Sequence, residues 1–322
     1  MKIEYSSVRN TYSTGVRGVQ MKLSELSKAI GLGTVENDSD FCSLGKLNAL
    51  SSEKSLIFLS EDEYIPKIDK SLVSAVITTN EISSALRNSS LGILVSDNPK
   101  RDFYIAHNYL IQSGFYFDRF DTVIDETAII HSTANIASRN VRIGKNTIIY
   151  PNATILENSI IGDNCVVMTG TVVGSEGYEV IEIDGINRIV SHAGWSIIKN
   201  NVQIETNTVV CKGLFPTRNT IIEEEVTIDN LVHVAHGVQI GRRSKIVAHA
   251  VLSGNITIGE NVWIGPSAVI TNGIIIGDNA KVSLGAVVIR NVPSGCTVSG
   301  NFAIEHEEFM RLMSASRRSL KS

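Results

Sequence analysis

The chain has 322 residues, 43% of them hydrophobic and only 6% aromatic, with a formal net charge of −4. That length holds two or three domains, and the acidic balance excludes non-specific binding to nucleic acid phosphates. There is no charged-then-apolar leader, and no apolar run reaches the ~20 residues of a membrane span, so a cytoplasmic protein is expected.

Residues 1–20 are polar and lack apolar periodicity, which predicts a loose extension. Ser24 then offers a cap for a short helix carrying Leu26 and Ile30, which Gly31 and Gly33 would stop. Strand-like runs follow at 55–60 (SLIFLS), 74–79 (SAVITT) and 92–96 (GILVS), and Asn98-Pro99 opens a helix to about Gln112. Residues 21–120 therefore read as a small α/β domain.

From Ile124 an aliphatic residue recurs every sixth position, slips by one after Ile136, resumes at Ile143 and runs to Val173. Excursions at 175–196 and 215–220 interrupt it, and from Ile222 to Val288 it is unbroken. Small or β-branched residues mark the fifth position of each hexad, Cys165 among them, so packing explains that thiol better than reactivity does. The other cysteines, Cys42, Cys211 and Cys296, are scattered and read as thiols in a reducing compartment.

Neither helix nor hairpin has a period of six, but a parallel β-helix does. Three short strands make one coil of about 18 residues, advancing one inter-strand spacing of ~4.8 Å. Residues 121–300 are assigned to this solenoid. A final helix from about 303 to 319 would cap its open end, residues 301–322 forming a C-terminal segment. Loops that leave a solenoid are usual places for function.

Of seven histidines, His107, His131, His192 and His306 have ordinary structural or solvent-exposed readings. His233 and His236, in residues 229–237 (DNLVHVAHG), lie close together around a corner. One coil on from His236 is Gly254, so the two should stack. A neutral imidazole can take a proton from an attacking amine, and an unhindered N–H can hold the oxyanion of a tetrahedral intermediate. His233, His236 and His249 could instead form a three-imidazole zinc site, but successive strand residues alternate faces, which aims the first two apart. No metal is assigned.

The stretch 229–241 (DNLVHVAHGVQIG), with 246–259 and 298–301 (VSGN), resembles the hexapeptide-repeat acyltransferases of lipid A synthesis, most closely the UDP-3-O-acylglucosamine N-acyltransferase family. The resemblance extends over 21 to about 320 and includes 21–32 (MKLSELSKAIGL), 58–64 (FLSEDEY) and Asp97-Asn98-Pro99. It implies a left-handed coil, a homotrimer with sites between solenoids, and a UDP-linked amino sugar as acceptor. It also implies a phosphopantetheine thioester on acyl carrier protein or coenzyme A as donor, with no permanently bound cofactor. His236 then falls at the catalytic base and Gly254 at the oxyanion amide. Phe58 and Tyr64 would hold uracil, with Glu61 beside it, and Gly177 and Tyr178 lie in the sugar-site loop. Lys212, Asp229, Asn230 and His233 complete the implied substrate-binding set.

Three departures bear on substrate. Glu61 replaces the family's uracil-contacting asparagine and can only accept hydrogen bonds when ionised. Cys211-Lys212-Gly213 stands where the family has Asp-Arg-Gly, and Gly273 replaces a second functional histidine. These leave as alternatives a short acyl-CoA or acetyl-CoA dependent sugar-nucleotide N-acyltransferase, and a non-catalytic binding protein on the same scaffold. The C-terminal cations Arg311, Arg317, Arg318 and Lys321 fit a solvated helix end better than a carrier-protein dock.

Overall fold

The computed structural model describes residues 19–47, 54–183, 185–300 and 303–319. Residues 1–18 of the expected extension lie outside these. α1 (Leu23–Ile30) buries Leu23 and Leu26 and stops at Gly31, which takes the left-handed φ of 66°. Ser24 is not its cap, contrary to expectation. It lies inside the helix and donates from its hydroxyl to the Asp38 carboxylate at 2.6 Å.

A five-stranded sheet follows in the order Thr34–Asn37, Gly92–Val95, Val73–Thr78, Ser55–Leu59 and Ser43–Leu44, the first pair antiparallel and the rest parallel. α2 (Asn80–Leu86) and α3 (Pro99–Gln112) pack on it, the latter started by the Asn98 side chain accepting from the Arg101 N–H at 3.0 Å. α3 buries Phe103, Tyr104, Ala106, His107 and Leu110.

The hexads wind into three parallel sheets of eight, eight and nine strands. Most strands are two residues long, the first facing outward and the second inward, as period-2 alternation requires. Along one sheet the inward residues Val234, Leu252, Ile270 and Val288 pair in register. Each such aliphatic rung contributes roughly 1.5–3 kcal/mol by leaving water. Cys165 lies in this core, where burial pushes its thiol up to about 11. Left-handed turn residues recur with the same period at Arg243, His249, Asn255, Asn261 and Ser267.

The two interruptions weld the layers together. Residues 175–196 contain an antiparallel hairpin of Val180–Ile183 and Ile186–Ile189. Its Ile181 and Val190, with Leu214 and Phe215 from the second excursion, share one core with Leu26, Phe41, Leu56 and Phe103. The Phe215 ring lies 5.5 Å from Phe103 and 4.5 Å from His107. His107 bridges the Tyr116 hydroxyl (2.8 Å) and the Ser191 carbonyl (3.0 Å), and burial drives its pKa down to about 3.

α4 (His306–Ser319) forms close to where it was expected but does not cap the solenoid. Its side chains are exposed throughout 303–315, including Phe309, Met310, Leu312 and Met313, so over those residues it makes no buried contact with the last coil.

Candidate active site

His236 follows the strand His233–Val234 at the corner leading to the strand Gln239–Ile240. It is 8% exposed. The next coil brings Gly254 against it: a β-carbon at Gly254 would lie 2.7 Å from His236 Nε2. The coils are joined there by the Asn255 N–H donating to the His236 carbonyl at 2.8 Å.

The Gly254 amide occupies the residue before a left-handed turn position. At the equivalent positions six residues either side, the Ala248 N–H is taken by Asp229 (3.1 Å) and the Glu260 N–H by Asp278 (2.8 Å). Among the described residues no acceptor takes the Gly254 N–H. It is therefore a donor that the fold leaves available, beside a buried imidazole.

The second excursion fixes this corner. Gly237, next to His236, donates its N–H to the Thr220 hydroxyl (2.9 Å), and its carbonyl accepts from Arg218 Nε (2.9 Å). Arg218 also donates to the Thr257 hydroxyl at 2.8 Å, clamping the coils that carry His236 and Gly254. The sequence marks 215–220 only as an excursion and does not point to Arg218 or Thr220.

The first excursion brings a second histidine. His192 is buried, and its ring meets His236 edge-on with centroids 5.4 Å apart. Its Nδ1 lies 3.0 Å from both the Glu176 carboxylate and the Val190 carbonyl, and Glu176 also pairs with Lys212 at 3.0 Å. Burial would raise the Glu176 pKa, but the His192 hydrogen bonds and Lys212 overcome that and hold it near 2. Lys212 thus reaches the site through Glu176. Gly177 packs against both rings, whereas Tyr178 is 83% exposed.

His236 itself is driven down to about 4, chiefly by burial and next by His192, with Glu179 opposing. Burial also favours the charged form of Glu179 least, yet Lys46 (3.0 Å) and the Tyr104 hydroxyl reverse that and keep its carboxyl below the ordinary range. Glu179 links this corner to a cleft of about 650 Å³ lined by Lys46, Phe58, Glu61, Tyr64, Lys67, Lys100 and Tyr104. The three residues expected around uracil thus line one cavity, and three lysines join them. Lys100 and Tyr104 come from one face of α3, four residues apart.

The remaining sequence candidates sit elsewhere in the chain. Asp229 and Asn230 occupy the preceding corner, where Asp229 accepts from the N–H groups of Asn230 (2.7 Å) and Ala248. His233 faces outward on its strand, and burial of part of its ring lowers its pKa. His249 is a turn residue, and Gly273 occupies a left-handed turn facing open space. Among the described residues no cluster of three His, Cys, Asp or Glu side chains could hold a metal, and no helix is long and apolar enough to cross a membrane.

The bacterial transferase hexapeptide (six repeats) family matches residues 140–175, 219–254 and 255–290. With that match, the solenoid is a left-handed parallel β-helix. A UDP-3-O-acylglucosamine N-acyltransferase of Helicobacter pylori is 32% identical over 76% of this chain and 78% of its own length. One from Legionella pneumophila is 29% identical over 94% of both chains, while a Rickettsia akari relative is 41% identical over only 29% of this chain and 26% of its own. Among solved structures, the UDP-N-acetylglucosamine acyltransferase from Campylobacter jejuni aligns with 61% of this chain and 82% of its own, at 20% identity and a TM-score of 0.48. By the extent of the Helicobacter match, this chain is a member of the UDP-3-O-acylglucosamine N-acyltransferase family.

Proposed function

We propose that the chain transfers a 3-hydroxyacyl group from an acyl carrier protein thioester to the amine of a UDP-linked amino sugar, with His236 as base and the Gly254 amide as oxyanion donor. The observation that carries this reading is the buried, neutral His236 beside an unclaimed N–H one coil away.

In the proposed step the sugar amine attacks the thioester carbonyl, forming the C–N bond and a tetrahedral oxyanion held by Gly254. The attacking nitrogen becomes strongly acidic as it bonds, so an imidazole with a low pKa suffices to remove its proton. Collapse breaks the C–S bond, and the imidazolium returns the proton to the departing thiolate. Amide and free thiol are the products.

The cleft supports the acceptor assignment. Phe58 and Tyr64 offer aromatic faces to a base, and Lys46, Lys67 and Lys100 offer charge to a diphosphate. Glu61 would accept from the uracil N3–H. A trimer is supported by outward apolar residues such as Leu284, Val287 and Ile289, which a single chain leaves in water. Asp229, Asn230 and His233 would then serve a site completed by a neighbouring solenoid. A carrier-protein donor implies the cytoplasm.

His236→Ala should abolish turnover while UDP-sugar binding persists; near-wild-type activity in that variant would sink the mechanism. A thioester panel tests the donor. Turnover with acetyl-CoA but not with long 3-hydroxyacyl carrier protein would replace this reading with a short-chain sugar acyltransferase, which the missing side chain at Gly273 also fits.

A further inference from the structure

The environment of His192 fixes where its proton resides. Both groups at its Nδ1, the Glu176 carboxylate and the Val190 carbonyl, only accept hydrogen bonds. A neutral His192 therefore carries its proton on Nδ1 and a lone pair on Nε2. That Nε2 is buried with no hydrogen-bond partner, and so is Nδ1 of His236.

The two unpartnered nitrogens flank a single α-carbon. A β-carbon on Gly177 would lie 2.7 Å from His192 Nε2 and 2.8 Å from His236 Nδ1, so no side chain can stand between them. For His236 to take the amine proton on the side that faces Gly254, its Nε2 must be the unprotonated nitrogen. Its proton must then sit on Nδ1, the atom that faces His192.

We propose that His192 is a positioning residue for His236: its Nε2 lone pair, set by Glu176, favours the Nδ1–H tautomer of His236 and accepts from that N–H as the imidazolium forms. This rests on the reading of His236 as base. The arrangement runs Glu176–His192–His236, with Lys212 holding Glu176 in place. The two rings, with centroids 5.4 Å apart, stop short of a hydrogen bond. Catalytic contacts of this kind tighten when substrate binds.

The test compares His192→Leu, which removes the acceptor, with His192→Gln, whose amide oxygen restores one at similar reach. Imidazole ¹⁵N spectra of the full-length protein, taken without substrate, report the His236 tautomer. Wild type should hold the proton on Nδ1, H192L should move population toward Nε2–H, and H192Q should recover it. In step with this, kcat should fall at least 10-fold in H192L and recover to within 3-fold in H192Q, while KM for the sugar nucleotide stays within 2-fold. Should H192L not fold, His192→Phe keeps a ring there but no acceptor nitrogen and should shift the same tautomer. An unchanged His236 tautomer in these variants overturns the proposal, even if kcat falls. The tautomer comparison requires no turnover, so failure of the acyl-transfer reading would be seen separately, as absence of activity in the wild type.

Discussion

His236 Nε2 faces the α-carbon of Gly254 so closely that any β-carbon there would intrude to 2.7 Å. Gly254→Ala therefore removes no functional group but pushes the imidazole away from the amide it works beside. Losing one oxyanion contact costs on the order of 10²–10³ in turnover in other acyl-transfer sites. We expect at least a 100-fold fall in kcat with the sugar-nucleotide KM nearly unchanged, measured by steady-state kinetics. A variant within 5-fold of wild type would show that the pair does not act together.

Tyr64 lies at the mouth of the 650 Å³ cleft, 36% exposed, with Lys67 over its ring at 4.4 Å. Phe58 also packs against Phe103 at 5.1 Å, so its loss would mix folding with binding. Tyr64→Ala is the cleaner probe. Stacking on a base is worth about 1–3 kcal/mol, which predicts UDP affinity about 5–150-fold weaker by calorimetry, with an unchanged unfolding midpoint.

How far the sequence disclosed this site depends on which residues the repeat carries. His236 and Gly254 are one coil apart inside an unbroken run of hexads, so counting placed them together. His192 stands 44 positions before His236, inside an excursion with no period, and nothing in the spacing brings it back to the corner. Glu179, Lys46 and Tyr104 come from three separate elements, and their meeting depends on how the α/β layer seats on the solenoid. The same seating gives the excursions their purpose. Besides carrying His192 and Arg218 to the corner, they supply Ile181, Val190 and Phe215 as hydrophobic anchors.

Phe215 is the centre of that seating, 4% exposed and in ring contact with Phe103, Tyr104 and His107. Truncating a buried phenylalanine costs about 3–5 kcal/mol. Phe215→Ala should lower stability by that amount in denaturant unfolding. Because the layer also carries Lys46 and Tyr104 onto Glu179, UDP-sugar binding should weaken as well, although residue 215 lines no part of the cleft. If unfolding becomes biphasic, the α/β layer melts before the solenoid.

Two buried histidines set the response of stability to acid. His107 is lowered to about 3 and His236 to about 4, in both cases mainly by burial, from an ordinary value of 6.5. Between pH 6.5 and about 4 the unfolded chain binds protons at these sites that the folded chain refuses. Stability therefore rises with pH across that window and is lost as pH falls through it. Glu176, held near 2 against an ordinary 4.5, adds to the loss once pH falls below about 4.5, where only its unfolded form takes up a proton. The unfolding midpoint should drop steadily from pH 6.5 to 4, and His107→Gln, which removes one titrating group, should flatten the slope even if it lowers the midpoint at neutral pH. A slope identical to wild type would mean that His107 binds its proton equally in both states, contrary to its burial between Tyr116 and Ser191.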